Sequence, residues 1–166
     1  MAVPQKTKTV EFRTVVPGTA AQVMAFYSDP KAPVILTPPP IFFQIRDDRR
    51  TAIDQGEIDF TLWFTLLPFK WTSRHEPGEI PTSFIDRMLS GPTAVWIHHH
   101  IARDLPDKPG HVELVDRLEL AHKGGLIGVF TRLAFDGLPL RFLFFYRHLR
   151  TRGVLKRYPA AQTAKA

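Results

Sequence analysis

The segment Leu138–Tyr158, LPLRFLFFYRHLRTRGVLKRY, decides how the rest of the chain has to be arranged. Leu138, Phe142, Phe145 and Leu149 recur at intervals of three and four, the period of one helix face, while Arg141, His148 and Arg152 form a basic row beside them. Pro139 suits the first turn of such a helix. About 20 residues at ~1.5 Å each give a rod roughly 30 Å long, enough to lie across a sheet. The apolar row predicts the face that meets that sheet.

Upstream, the pattern is strand after strand. Lys8–Val16 (KTVEFRTVV) alternates and ends at Pro17-Gly18. Thr19 then caps a short helix that stops before Pro30, and a further helical turn fits before Pro38, Pro39 and Pro40 force an extended connection. From Ile41 to His122 six strand-like runs follow: IFFQIRD, two within GEIDFTLWFTLLPFKWTSRHE joined near Leu67-Pro68, TSFIDRML, TAVWIHHHIAR and HVELVDRLELAH. Turn signals at this spacing predict a meandering antiparallel sheet of about seven strands. The stretch GGLIGVF, rich in glycine, reads as a mobile connection. The fold class is therefore α+β: a curved antiparallel sheet wrapped around a long C-terminal helix, with one or two short helices after the first strand. Residues 1–158 are expected to form one domain and residues 159–166 a flexible tail.

Composition narrows the functional classes. Hydrophobic residues make up 44% of the 166 and charged ones 23%, which is ordinary globular usage. The absence of cysteine removes disulfides, thiolate nucleophiles and cysteine-based zinc sites. MAVPQKTKTVEF lacks the apolar core of a secretory signal, and no window approaches the ~18 apolar residues of a membrane span, so a soluble cytoplasmic protein is expected. The net charge of +6 is concentrated near the C-terminus. There, Arg141, Arg147, Arg150, Arg152, Lys156 and Arg157 are spread around the helix without an aromatic platform, which argues against nucleic acid and leaves transient contact with an anionic membrane surface as the electrostatic alternative.

Four local patterns, LPFKWTSRH (Leu67–His75), FIDRMLSGPTAVWIHHH (Phe84–His100), VELVDRLEL (Val112–Leu120) and RFLFFYRH (Arg141–His148), together with the element order, resemble the SRPBCC superfamily of START and birch-pollen-allergen proteins. That group includes polyketide cyclases and coenzyme-Q-binding proteins, and the likeness is to a bacterial ligand-binding branch. The resemblance implies a helix-grip fold with a lipophilic cavity; no cofactor is expected. It does not imply a reaction, because a fold hosts many functions.

Within that frame, AVWIHHHIA (Ala94–Ala102) is the richest stretch. On a strand, Trp96, His98 and His100 share one face and Ile97, His99 and Ile101 the other. Asp86 shares a face with Phe84 and Met88, and Asp116 with Val112, Leu114 and Leu118, so both carboxylates fall on apolar sides and need partners. Arg74, Asp86, His98 and Asp116 are thus the polar candidates for a ligand anchor. Trp96, His100, Phe60, Phe84, Phe142 and Phe145 are the candidate walls. If the protein is an enzyme, a cyclase or dehydratase chemistry would use His98 as acid or base, Asp86 to orient it and Arg74 to polarise a carbonyl. A structural ion-pair network accounts for the same polar residues. His98 and His100 at i and i+2 could ligate a metal with Asp86 or Asp116, but such spacing is common on strands and a catalytic zinc site needs a third ligand and organised surroundings, so no metal is expected. The reading is a carrier, sensor or chaperone of a lipid, quinone or polyketide-like molecule, with the enzyme and a surface-interaction module as alternatives.

Overall fold

The computed structural model describes residues 6–157. Seven strands, β1 (Lys8–Pro17), β2 (Ile41–Asp48), β3 (Gly56–Phe64), β4 (Leu67–Pro77), β5 (Ser83–Ser90), β6 (Val95–Asp104) and β7 (His111–Ala121), form one curved antiparallel sheet. Its order is β1-β7-β6-β5-β4-β3-β2, so strands two to seven meander and the first strand returns beside the last. Two short helices, α1 (Ala20–Tyr27) and α2 (Ala32–Ile35), join β1 to β2, and two more, α3 (Gly125–Phe135) and α4 (Gly137–Leu155), end the described chain. The tail expected over residues 159–166 lies outside the described residues.

Local chemistry accounts for most boundaries. Thr19 closes a capping box on α1: its side chain accepts from the Gln22 N–H at 3.2 Å, and Gln22 Oε1 accepts from the Thr19 N–H at 2.9 Å. Asp136 caps α4 by accepting from the Gly137 N–H at 2.7 Å. The hairpin between β3 and β4 turns at Thr65 and Leu66, with Thr65 at φ 54°, rather than at Leu67-Pro68. No asparagine or glycine marks that turn, which is why the proline drew the boundary two residues late.

Two expectations are corrected. GGLIGVF is not a mobile connection but most of α3. Gly128 permits this, since a Cβ there would sit 1.7 Å from the Lys123 carbonyl oxygen, and only a glycine lets the helix start so close to the end of β7. The second correction concerns α4. Leu138, Phe142, Phe145 and Leu149 do not face the sheet; they are exposed, Leu138 at 80% and Phe145 at 65%. The buried stripe is Leu140, Phe144, His148, Thr151 and Leu155, the row beside it. The apolar face was misread because two of its five members are polar, and His148 becomes buriable only through a partner on the sheet.

The interior is organised as two apolar clusters with a polar waist. One joins α1 and the end of α4 to Val16, Phe84, Val112 and Leu114. The other joins Leu140 and Phe144 to Ile58, Phe60, Trp71, Trp96, Leu118 and Phe135. Between them β6 contributes His98 and His100, β7 Asp116 and α4 His148, all buried.

Candidate ligand-binding site

The waist centres on the Asp116 carboxylate. His98 Nε2–H donates to Oδ1 and His148 Nε2–H to Oδ2, both at 2.7 Å. His100 Nδ1 lies 3.2 Å from Oδ1 but off the line that a hydrogen bond needs. Burial alone would raise the Asp116 carboxyl; His100, His148 and His98 outweigh it and hold it well below the usual carboxylate range. Burial also lowers His98, against the pull of Asp116, and lowers His100 further, helped by the neighbouring His98. Burial thus favours the neutral forms of His98 and His100 beside a carboxylate held in its ionised form. Register explains why these residues meet: His98 faces Leu118 and His100 faces Asp116 across the β6–β7 ladder, so the carboxylate stands between two imidazoles two residues apart.

His98 Nε2, His100 Nδ1 and an Asp116 oxygen lie within 4.8 Å of one another, close enough to suggest a metal centre. Of its separations, His100 to Asp116 at 3.2 Å matches that of two metal ligands, and His98 to Asp116 at 2.7 Å is shorter. Ligands at ~2.0–2.1 Å from a tetrahedral ion stand about 3.3 Å apart, whereas Asp116 sits at hydrogen-bond distance from His98. The His98–Asp116 contact is a hydrogen bond as it stands.

In front of the waist is a cavity of about 90 Å³. Its apolar wall includes Tyr27, Phe43, Ile58, Phe60 and Phe84, and its polar wall Arg50, His75, Asp86, His100 and Arg147. The rings are ordered: His75 and His100 stack on either neighbour strand against Phe84, with centroids 5.3 and 4.3 Å away. Tyr27 meets His100 edge-on at 5.6 Å, and burial raises its phenol far above the ordinary value. The His75 Nδ1–H donates to the Ile53 carbonyl at 2.7 Å, which leaves Nε2 as an acceptor.

The charges on this wall are not equivalent. Arg50 is already neutralised by Asp48, through contacts of 2.8 and 2.7 Å. Arg147 forms no ion pair among the described residues, its Nε is buried without a hydrogen-bond partner, and its guanidinium carbon lies 6.0 Å from the Phe144 ring centroid. Asp86 Oδ1 is likewise buried without a partner. Uncommitted polar atoms facing a cavity are the groups a ligand would satisfy.

The structure sorts the sequence-derived candidates. Phe60, Phe84, Asp86 and His100 line the cavity. His98 and Asp116 stand behind His100, and Trp96 packs at 5.4 Å against Trp71 in the second apolar cluster. Arg74 is on the outer face of the sheet, half exposed, and donates to Glu57 Oε1 at 2.8 Å directly across the β3–β4 ladder. Trp71, Ser73 and His75 are the inward residues of that strand, so Arg74 is one position out of phase. Phe142 and Phe145 are exposed on the outward side of α4 and do not reach this cavity. The proposed trio of His98, Asp86 and Arg74 therefore does not assemble. His75, Arg147 and His148 were missed; the alternation from Trp71 would have found His75, and the stripe from Leu140 through Phe144 would have found the other two.

No protein-family model matches the chain, and no curated protein matches it. Solved structures do. The Zhui aromatase/cyclase from Streptomyces sp. R1128 superposes with a TM-score of 0.67 at 16% identity, covering 94% of this chain and 98% of its own. A START superfamily protein from Mycobacterium smegmatis gives 0.67 at 11% identity, over 93% and 100% of the two chains. A nucleoside-diphosphate sugar epimerase from Corynebacterium glutamicum gives 0.64 at 22% identity over 89% of this chain, which spans only 29% of that protein. The chain has a START-like helix-grip fold.

Proposed function

We propose that the cavity binds a small, largely aromatic molecule bearing an acidic or carbonyl oxygen, and that Arg147 holds that oxygen. The single observation that carries this reading is the Arg147 guanidinium, aimed at an apolar cavity with a buried nitrogen and no carboxylate partner. Arg147 as a whole is half-buried, with its Nε enclosed; a partly desolvated cation without a counter-charge favours an anionic ligand. Asp86 and the free nitrogen of His75 supply an acceptor for any hydroxyl the molecule carries.

Size limits the ligand class. A single water needs ~10–15 Å³ of such space and drug-sized ligands need about 300 Å³ or more, so 90 Å³ favours a small ligand. A lipid, quinone or full polyketide chain does not fit the cavity as it stands. The aromatase/cyclase likeness is consistent with an aromatic ligand without extending its reaction to this chain.

A second reading rests on a different observation. His100 touches both the cavity and the Asp116 hub: its Nδ1 stands 3.2 Å from a carboxylate oxygen, so a carboxylate charge lies behind an imidazole that lines the cavity. On this reading His100, not His98, is the proton-transferring group. Native mass spectrometry of the purified protein, with extraction of what it carries, tests the first reading. The expected result is a small aromatic acid that is lost in Arg147→Met; a long-chain neutral lipid retained by that variant would contradict it.

A further inference from the structure

The residues that the helical period singled out, and that the sheet does not use, form a continuous outward face. On α4 these are Leu138, Phe142, Phe145 and Leu149; on α3 they are Leu126, Val129 and Leu133, again at intervals of three and four. Leu126 is 90% exposed and Leu133 71%. Leu66, at 88%, projects from the β3–β4 hairpin beside them. Between the three elements lies a groove of about 530 Å³ whose walls include Pro38, Phe64, Leu67, Phe130, Leu133 and Phe142. Exposed apolar surface of this continuity marks an interaction site.

Charge decides which partner. From Lys123 to Arg157 the chain carries eight basic residues and one acidic residue, Asp136. Arg132, Arg141, Arg150 and Arg152 are exposed on the same two helices, with Arg141 and Arg152 flanking Phe145 and Leu149. The nearest carboxylates are already engaged, Asp136 with Lys8 at 2.7 Å and Glu11 with Arg13 and Arg117 at 2.7 and 3.1 Å. A second copy of this chain would bring two basic faces together, which electrostatics opposes. A surface that is apolar in the middle and negative at its boundary fits both features.

We infer that the outward face of α3 and α4, with the tip of the β3–β4 hairpin, docks the protein on an anionic phospholipid bilayer. The apolar side chains enter the acyl boundary, the arginines meet lipid phosphates, and the groove offers room for an acyl chain. The attachment is peripheral: among the described residues, no helix is long and apolar enough to cross a membrane. Docking uses residues outside the Arg147 cavity and is independent of what that cavity holds.

Co-sedimentation with phosphatidylcholine vesicles, with and without phosphatidylglycerol, tests the inference. Binding is expected only when phosphatidylglycerol is present, and it weakens as salt is added. Phe142→Ser combined with Phe145→Ser, and separately Arg141→Glu combined with Arg152→Glu, should each weaken it by about tenfold or more. All four residues are exposed, so unchanged thermal unfolding shows that the variants remain folded. Arg103→Glu, on the opposite surface and paired with Glu79, should leave vesicle binding unaltered. Absence of vesicle binding, or binding that survives both double variants, overturns the inference. So does sedimentation equilibrium showing a dimer that the phenylalanine variant dissociates, because the face would then serve self-association.

Discussion

Phe144 and Phe145 are consecutive residues of α4 with opposite environments. Phe144 is 1% exposed, stacked on Phe12 at 4.4 Å and edge-on to His98 at 5.1 Å. Phe145 is 65% exposed. The outward side of this helix carries Leu, Phe, Phe and Leu, whereas the inward side includes His148 and Thr151, with Arg147 beside them. The outward row Leu138, Phe142, Phe145 and Leu149 is wholly apolar, with Arg141, Arg150 and Arg152 exposed beside it, whereas the inward row is apolar at three of its five positions. The difference teaches that hydrophobic period identifies a helix more securely than it identifies the helix's buried side. Where the sheet offers a carboxylate such as Asp116, a polar residue belongs inside, and the displaced apolar stripe is left for another partner.

The largest expected effect breaks this pair apart. Phe144→Ala removes a fully packed ring and should cost about 3–5 kcal/mol, lowering the melting temperature by roughly 6–20 °C at ~2–4 °C per kcal/mol. Phe145→Ala should stay within about 0.5 kcal/mol. Calorimetry on both variants checks the comparison, and similar losses for the two would mean that the helix is rotated from the orientation described.

Asp116→Ala comes next. It leaves His98 and His148 buried without the acceptor they share and should cost about 3 kcal/mol. Denaturant titration measures this directly; a neutral result would show that the waist is not a cooperative network.

A smaller effect should appear with pH. Burial holds His98 and His100 below their ordinary values, so the unfolded chain takes up protons that the folded chain refuses once the pH falls below ~6.5. Their stabilising contribution is complete above that value and declines on acidification. Asp116, also held low, adds its own contribution above ~4, lost as the pH falls through its folded value. The melting temperature should therefore drop between pH 7 and 5, and His100→Phe should flatten that drop while preserving the stack on Phe84. An equally steep profile in the variant would assign the proton uptake elsewhere.

Much of the fold was legible because its signals are local. Seven strands, the capped first helix and the phases of β5, β6 and β7 follow from alternation and turn chemistry. The inward placement of Asp86, His98, His100 and Asp116 follows from those phases. α3 was hidden by its glycines, of which Gly128 is required by the Lys123 carbonyl that the folded backbone brings against it. Arg74 was misplaced because WTSRH carries polar residues in both phases, so alternation had to be counted from Trp71, and the Glu57 that pairs with Arg74 lies on another strand. His148 escaped for the same physical reason as the phase of α4, because its burial depends on Asp116, distant in sequence, and Arg147 beside it escaped with that phase.

The central claim is that Arg147 makes the interior cavity selective for an acidic oxygen. It is tested most directly by titrating the ¹⁵N-labelled protein with benzoate and with its neutral isostere benzamide, following amide signals around Phe60, Phe84 and His100. Benzoate should bind the native protein about tenfold or more tightly than benzamide, a difference of ~1.4 kcal/mol. Arg147→Met should abolish that preference while benzamide binding, unchanged, reports an intact cavity. Equal affinities in the native protein, or a preference for benzoate that survives Arg147→Met, would contradict the account.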